Sequence, residues 1–106
     1  MMRGGMPNMQ GMMKQMQKMQ KDMKKEQKAI EETIFEASDA QSLVTVKMNG
    51  KREIVELNVN EILVDPDDVD MLQDLIIATT NDVLRKVDKA TEERLGRFTQ
   101  GLNLPF

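Results

Sequence analysis

Hydrophobic periodicity changes abruptly twice along this chain, and that pattern limits the architectures open to it. With Met9, Met16, Met23 and Ile30 at position a of a heptad, Met12 and Met19 fall at d. The same frame puts Lys14, Lys21 and Lys28 at f, Lys18 and Lys25 at c, and Lys24 at b. The spacing predicts one helix over residues 9–30, roughly 30 Å long, with methionines on one side and lysines on the other. Glu26 and Thr33 occupy d positions, where a coiled coil takes hydrophobes, so the seam weakens toward its end.

Period two then replaces the helical period. Residues 33–37 read as a short strand and residues 38–41 as a polar loop. Val44, Val46 and Met48 alternate on one face, and Val55, Leu57 and Val59 repeat the pattern after Asn49-Gly50, a hairpin signal because both residues tolerate positive φ. A four-residue loop over 49–52 would set Val46 opposite Val55 and Val44 opposite Leu57. Helical spacing returns with Val69, Leu72, Ile76, Val83, Val87 and Ala90. Asp65-Pro66-Asp67-Asp68 predicts the start of that helix, with Asp65 as N-cap and Pro66 at the first position, and Gly96 marks its end. The expected fold is α+β: helix, antiparallel sheet of two to three strands, helix. The expected domain organisation is a glycine-bearing lead-in at 1–8, a single α-β-α domain at 9–96, and an irregular tail at 97–106. A small sheet has two faces, and one of the two helices gives a side to lysines, so a homodimer is expected to complete the core, packed through Met12, Met16, Met19, Met23, Val44, Val46, Val55 and Leu57.

Composition removes whole classes of chemistry. The 106 residues contain no Cys, His, Trp or Tyr. Disulfides, thiol nucleophiles, imidazole catalysis and Cys/His zinc sites are thereby excluded. No phosphate-cradling Gly-Lys-Ser/Thr element is present, and Asp65, Asp67, Asp68 and Asp70 lack the spacing of an EF-hand loop, so they read as helix-start residues. Nine of the eleven methionines lie in residues 1–23. Thioethers at Met9, Met12, Met16 and Met19 have the softness for Cu(I), but an adaptable packing face accounts for them without a metal. A membrane-lying helix would carry Trp, Phe and Leu on its apolar face, and this one does not. No enzymatic activity, metal or cofactor is expected. No run approaches the length of a membrane span, and the methionine-rich start is broken by Lys and Gln, so a cytoplasmic location is the expectation.

The formal net charge of −3 hides an asymmetry. Residues 1–30 hold seven basic groups and two acids, whereas the remainder holds eight basic groups and sixteen acids. Lys14, Lys18, Lys21, Lys25 and Lys28 step by four, three, four and three, and so form a continuous row along one helix face. Duplex DNA carries about one charge per 1.7 Å of axis, and a row of ammonium groups releases counterions on meeting it. Lysine is a point charge without arginine's bidentate fork, so the row favours phosphates over base edges. Arg85, Lys86 and Lys89 form a smaller basic group on the last helix. A solvated face is the plainer reading of either group taken alone.

Five segments in order resemble the YbaB/EbfC family of bacterial nucleoid-associated proteins: Asn8 to Met19 (NMQGMMKQMQKM), Val46 to Lys51 (VKMNGK), Val64 to Val69 (VDPDDV), Met71 to Ile76 (MLQDLI) and Gly101 to Pro105 (GLNLP). The resemblance implies an intertwined homodimer whose helices project from a joined β core like tweezers. It further implies binding of double-stranded DNA with little sequence preference, a place on the nucleoid, a part in its organisation and a part in regulating gene expression. Family members commonly carry glycines before the central strand, where this chain has Ser38-Asp39-Ala40-Gln41. Charge placement then nominates Lys14, Lys18, Lys21, Lys24, Lys25 and Lys28 as phosphate contacts, with Arg85, Lys86 and Lys89 assisting. A competing expectation is a protein–protein adaptor that docks through the Met-rich helix or the acidic surface.

Overall fold

The computed structural model describes residues 5–98, in the order α1 (Gly5–Glu32), β1 (Phe35–Ser38), β2 (Val44–Met48), β3 (Ile54–Val59), a 3₁₀ turn (Glu61–Leu63) and α2 (Val69–Gly96). The α+β expectation holds, with three strands in the antiparallel order β1-β2-β3. The first helix begins four residues earlier than its periodicity predicts. The molecule is elongated, with extents of 83 × 21 × 16 Å.

One face of the sheet is apolar and the other polar. Pairing of Ala37 with Val46, and of Val46 with Leu57, puts these three on the apolar face. There α2 lies chiefly over β1 and β2, and Val44, Val46, Met48, Val83 and Val87 are buried. Thr79, the one buried polar residue of α2, shares this helix face at positions 79, 83 and 87. On the opposite face, Ser38 and Thr45 share a hydrogen bond of 2.8 Å, and Lys47 bridges Glu36 at 3.7 Å and Glu56 at 3.4 Å. Asn58 donates to Glu56, and this bond together with Lys47 holds the Glu56 carboxyl below its ordinary value. The sheet therefore has only one face that needs covering, so a dimer is not required to cover a second. What stays bare is β3: Ile54, Val55 and Leu57 are each about half exposed.

Val44 and Val46 belong to the subunit's own core, at 0 % exposure beneath α2, which corrects their placement in a dimer contact. The expected register is also corrected. Val46 pairs with Leu57, Val44 with Val59 and Met48 with Ile54, because the connection runs over five residues, 49–53, and a bulge between Lys47 and Met48 then places Val55 as an extra residue in β3. The hairpin closes through Asn49, whose N–H donates to the Glu53 carbonyl at 3.0 Å and whose carbonyl accepts from Arg52 at 3.1 Å. Asn49 Oδ1 also accepts from Lys51 and Glu53. Positive φ falls on Arg52, at 66°, and on neither Asn49 nor Gly50. Gly50 is needed for a different reason: a Cβ there would collide with the Ile30 carbonyl and stand 2.9 Å from the Glu31 Cα.

Two further loops differ from expectation. Asp65-Pro66-Asp67-Asp68 is a β-turn closed by the Asp68 N–H on the Asp65 carbonyl at 3.0 Å, and α2 starts three residues late with Asp68 as its N-cap. Between β1 and β2, Ser42 adopts φ 56°, a left-handed conformation that favours glycine. Asp39 braces this loop by accepting the N–H groups of Val44 at 2.7 Å and Gln41 at 3.1 Å. The Val44 bond leads in holding the Asp39 carboxyl below its ordinary value, so the brace persists at neutral pH and is lost as acidification passes through that lowered value. The expected end of α2 at Gly96 holds, and most of the predicted tail, residues 99–106, lies outside the described residues.

Because Gly50 abuts backbone rather than a flexible side chain, Gly50→Ala is expected to lower stability by about 1–3 kcal/mol, read as a reduced urea midpoint. Gly11→Ala, in a helix with open space around it, should not lower it.

Candidate nucleic-acid interface

At one end of the sheet, the C-terminal end of α1, the hairpin tip and the last turns of α2 converge. The two helices run antiparallel here. Ile30 lies near Thr91 and Leu95, and Met23 shares a groove with Leu95 and Gly96. Glu26 is the hinge pin: its carboxylate accepts from Arg94 Nε at 2.5 Å and from Arg97 at 3.3 Å, and its side chain is only 19 % exposed. An acid at a d position, anomalous for a coiled coil, is thus explained by two arginines from α2. The signal available in the sequence was the pair Arg94 and Arg97, three apart at the end of α2, facing a lone inward acid. On the hairpin side, Arg52 donates to Asp88 through Nε at 3.0 Å and through a terminal nitrogen at 2.5 Å. This pairing fastens the residue with positive φ to α2, and spacing did not foretell it.

Beyond Met23, α1 runs past the end of α2. The 18 residues from 5 to 22 form an arm about 27 Å long. Around its axis, Met23, Glu26, Gln27 and Ile30 face α2, and Lys14, Lys18, Lys21, Lys25 and Lys28 lie on the opposite side, with Lys24 at its margin. All six lysines are exposed, and none has an ion-pair partner among the described residues. The row from Lys14 to Lys28 spans about 21 Å. Its cations therefore stay available, while Glu26 is paired to arginines on the inner side.

The second basic group sits differently. Arg85 is ion-paired to Asp82, Lys86 donates to the Glu36 carbonyl at 2.7 Å, and Lys89 is exposed without a partner among the described residues. These three lie on the body of the subunit, not on the arm. Met19 and Met23 are half-buried, and Met12 and Met16 are more than half exposed. Among the described residues no cluster of His, Cys, Asp and Glu suits a metal, and no helix is long and apolar enough to cross a membrane.

The sequence profile of the YbaB/EbfC DNA-binding family matches residues 6–102. The chain belongs to that family. It is 56 % identical over 104 residues to a nucleoid-associated protein of Bacillus licheniformis, covering 98 % of this chain and 97 % of the relative. The nucleoid-associated protein YaaK of Bacillus subtilis matches with the same identity and coverage. Among solved structures, an uncharacterized protein of Helicobacter pylori superposes with a TM-score of 0.62 at 22 % identity, over 74 % of this chain and 90 % of that one, which supports the fold. For a YbaB/EbfC chain the arm is the feature to explain, since among the described residues it carries the densest unpaired positive charge and meets the body only at its base.

Proposed function

We propose that this protein is a homodimer that binds double-stranded DNA through its phosphates, with little regard to sequence, and helps organise the nucleoid. The observation carrying this reading is the unpaired lysine row on the outer side of α1, in a chain of the YbaB/EbfC DNA-binding family. Lys14, Lys18, Lys21, Lys25 and Lys28 are assigned to phosphates, with Lys24 beside them. Lys89 is free to assist, whereas Arg85 and Lys86 must first give up the partners they hold. Point charges along a rigid rod follow a polyanion without inspecting base edges, which is the reason for expecting weak selectivity. Location on the nucleoid, in the cytoplasm, is the corresponding reading of the relatives' names. Effects on gene expression would follow from occupancy of the chromosome.

The homodimer is supported by β3. It is an edge strand, α2 leaves it largely bare, and Ile54, Val55 and Leu57 expose about half of their surfaces beside Ile62 and Val64, which are more exposed still. A second copy seated there would remove this apolar surface from water. It would also set two arms on one body, doubling the phosphates each particle can engage. In this reading Val55 and Leu57 take the dimer contact, and Val44 and Val46 support it from beneath the subunit's own α2.

Binding to unrelated duplexes should fall steeply with salt, the slope of log K against log[salt] being about −0.9 per phosphate neutralised. Changing Lys18, Lys21 and Lys25 together to Glu should weaken all duplexes alike and flatten that slope. Thermal stability should stay within about 0.5 kcal/mol, since these side chains are exposed and form no ion pair among the described residues. A gel-shift series over salt measures the first effect and thermal unfolding the second, and an unchanged slope moves the interface elsewhere. Separately, Leu57→Arg should weaken self-association tenfold or more, about 1.4 kcal/mol, in sedimentation equilibrium. An unaltered mass distribution would place the dimer contact off β3.

A further inference from the structure

The face of α1 that α2 covers continues past the end of α2. Met23, Glu26 and Ile30 meet α2 from a and d positions, and Met9, Met12, Met16 and Met19 hold the same two positions along the arm. Met19 is half-buried, whereas Met16, Met13, Met12 and Met9 rise from 54 % to 62 % exposed. Together they make an apolar patch on the order of 400 Å², the size at which exposed apolar surface marks a contact site. A lone helix of about this length is also marginally stable without tertiary packing.

The residues beside the seam point to what covers it. Positions e and g of the arm hold Met13, Gln15, Gln20 and Asp22, and every lysine of α1 stands at b, c or f. A second copy of the arm therefore sets no lysine against lysine across the seam. The body sets the direction. Because α2 ends beside Met23 and points toward the tip of the arm, a second arm antiparallel to the first follows the line of α2. Its N-terminal end then comes up to the C-terminal end of α2, the order that helix dipoles favour. A parallel pair would instead crowd two acidic bodies together, since residues 31–106 hold sixteen acids against eight basic groups.

We propose that the methionine stripe of α1 pairs antiparallel with the stripe of a second copy, Met9 opposite Met19 and Met12 opposite Met16 in both directions. Flexible thioether side chains suit such a seam, because they conform to one another without strain. Pairing buries roughly 800 Å² in total, below the standard size, so the contact is weak and concentration-dependent. In this register the bases of the two arms stand about 54 Å apart, with the bodies directed away from each other. The copy on the arm is therefore not the copy on β3, and the two contacts together link β3 dimers into larger assemblies. That linkage rests on the β3 reading, whereas the arm contact does not. The lysine rows remain outside on both flanks of the pair.

Sedimentation equilibrium of the full-length chain over a concentration series tests the contact. Met12→Gln with Met16→Gln, which leaves the charge unaltered, should raise tenfold or more the concentration at which species above two chains form. In a Leu57→Arg background the same pair of changes should turn a two-chain species into single chains. If β3 makes no contact, the unaltered chain stops at two copies and the methionine changes still dissolve them, so the two readings fail separately. A mass distribution that the methionine changes leave as it was overturns the proposal. The chain has no native cysteine, so crosslinking reads the register independently. Under mild oxidation, mixed Met12→Cys and Met16→Cys chains should form disulfides joining position 12 to position 16 several-fold faster than Lys14→Cys chains crosslink, as mapped by mass spectrometry. Rates no greater than that control, or disulfides chiefly joining position 12 to position 12, contradict it.

Discussion

The close approach of Gly50 to the carbonyl end of α1 governs the rest of this structure. A hairpin tip that carried any side chain there would push the helix away, and with it the groove in which Met23 meets Leu95 and Gly96. Arg52, two residues on, ties the same tip to Asp88 of α2, and Glu26 ties α1 to Arg94 and Arg97. Three elements distant in sequence are thus joined at one shoulder. The arm has no other described attachment to the body, so its direction is set there. The individual ion pairs are part-exposed and modest in energy, and the steric contact gives the joint its single geometry.

The heptad that builds the arm also separates its charges. Apolar residues at a and d lie on the side that meets α2 at the base of the arm, which obliges the lysines at b, c and f to face outward. The two acids of the segment do not interrupt that row: Glu26 is held inward by arginines, and Asp22 lies to the side, half-buried. The result is a cationic rod on an otherwise acidic protein, which is how a chain of net charge −3 suits a polyanion. Repulsion between the acidic body and phosphate would itself favour contact through the arm rather than through the sheet.

Much of this was legible from residue order. Both helices, the alternation of β2 and β3, and the end of α2 at Gly96 follow from periodicity and local propensity, which are properties of short windows. The failures lie where distant parts meet. The register differs by two positions because the connection is one residue longer than four and a bulge after Lys47 adds a further residue to β3, and no local pattern announces a bulge. Gly50 carries the local signal of a turn glycine, but its role is set by Ile30, twenty residues away. Asp65-Pro66 carries the chemistry of a helix start, yet the turn closes on itself first and Asp68 inherits the cap. Alternation tells which face of β2 is apolar but not which element covers it, so the burial of Val44 and Val46 beneath α2 is not legible from spacing. The six lysines of α1 were named as a group from charge placement, whereas the engagement of Arg85 with Asp82 and of Lys86 with a carbonyl emerges only in three dimensions.

The proposed contact with nucleic acid lies on one side of one helix, and lysine chemistry can test that placement one residue at a time. Acetylation of the protein, alone and bound to duplex DNA at low salt, followed by mass mapping, should show Lys14, Lys18, Lys21, Lys25 and Lys28 protected in the complex. Lys47 on the polar sheet face and Lys51 at the hairpin tip should react as before. Protection concentrated on Lys47 and Lys51, with the row on α1 still reactive, would contradict the account.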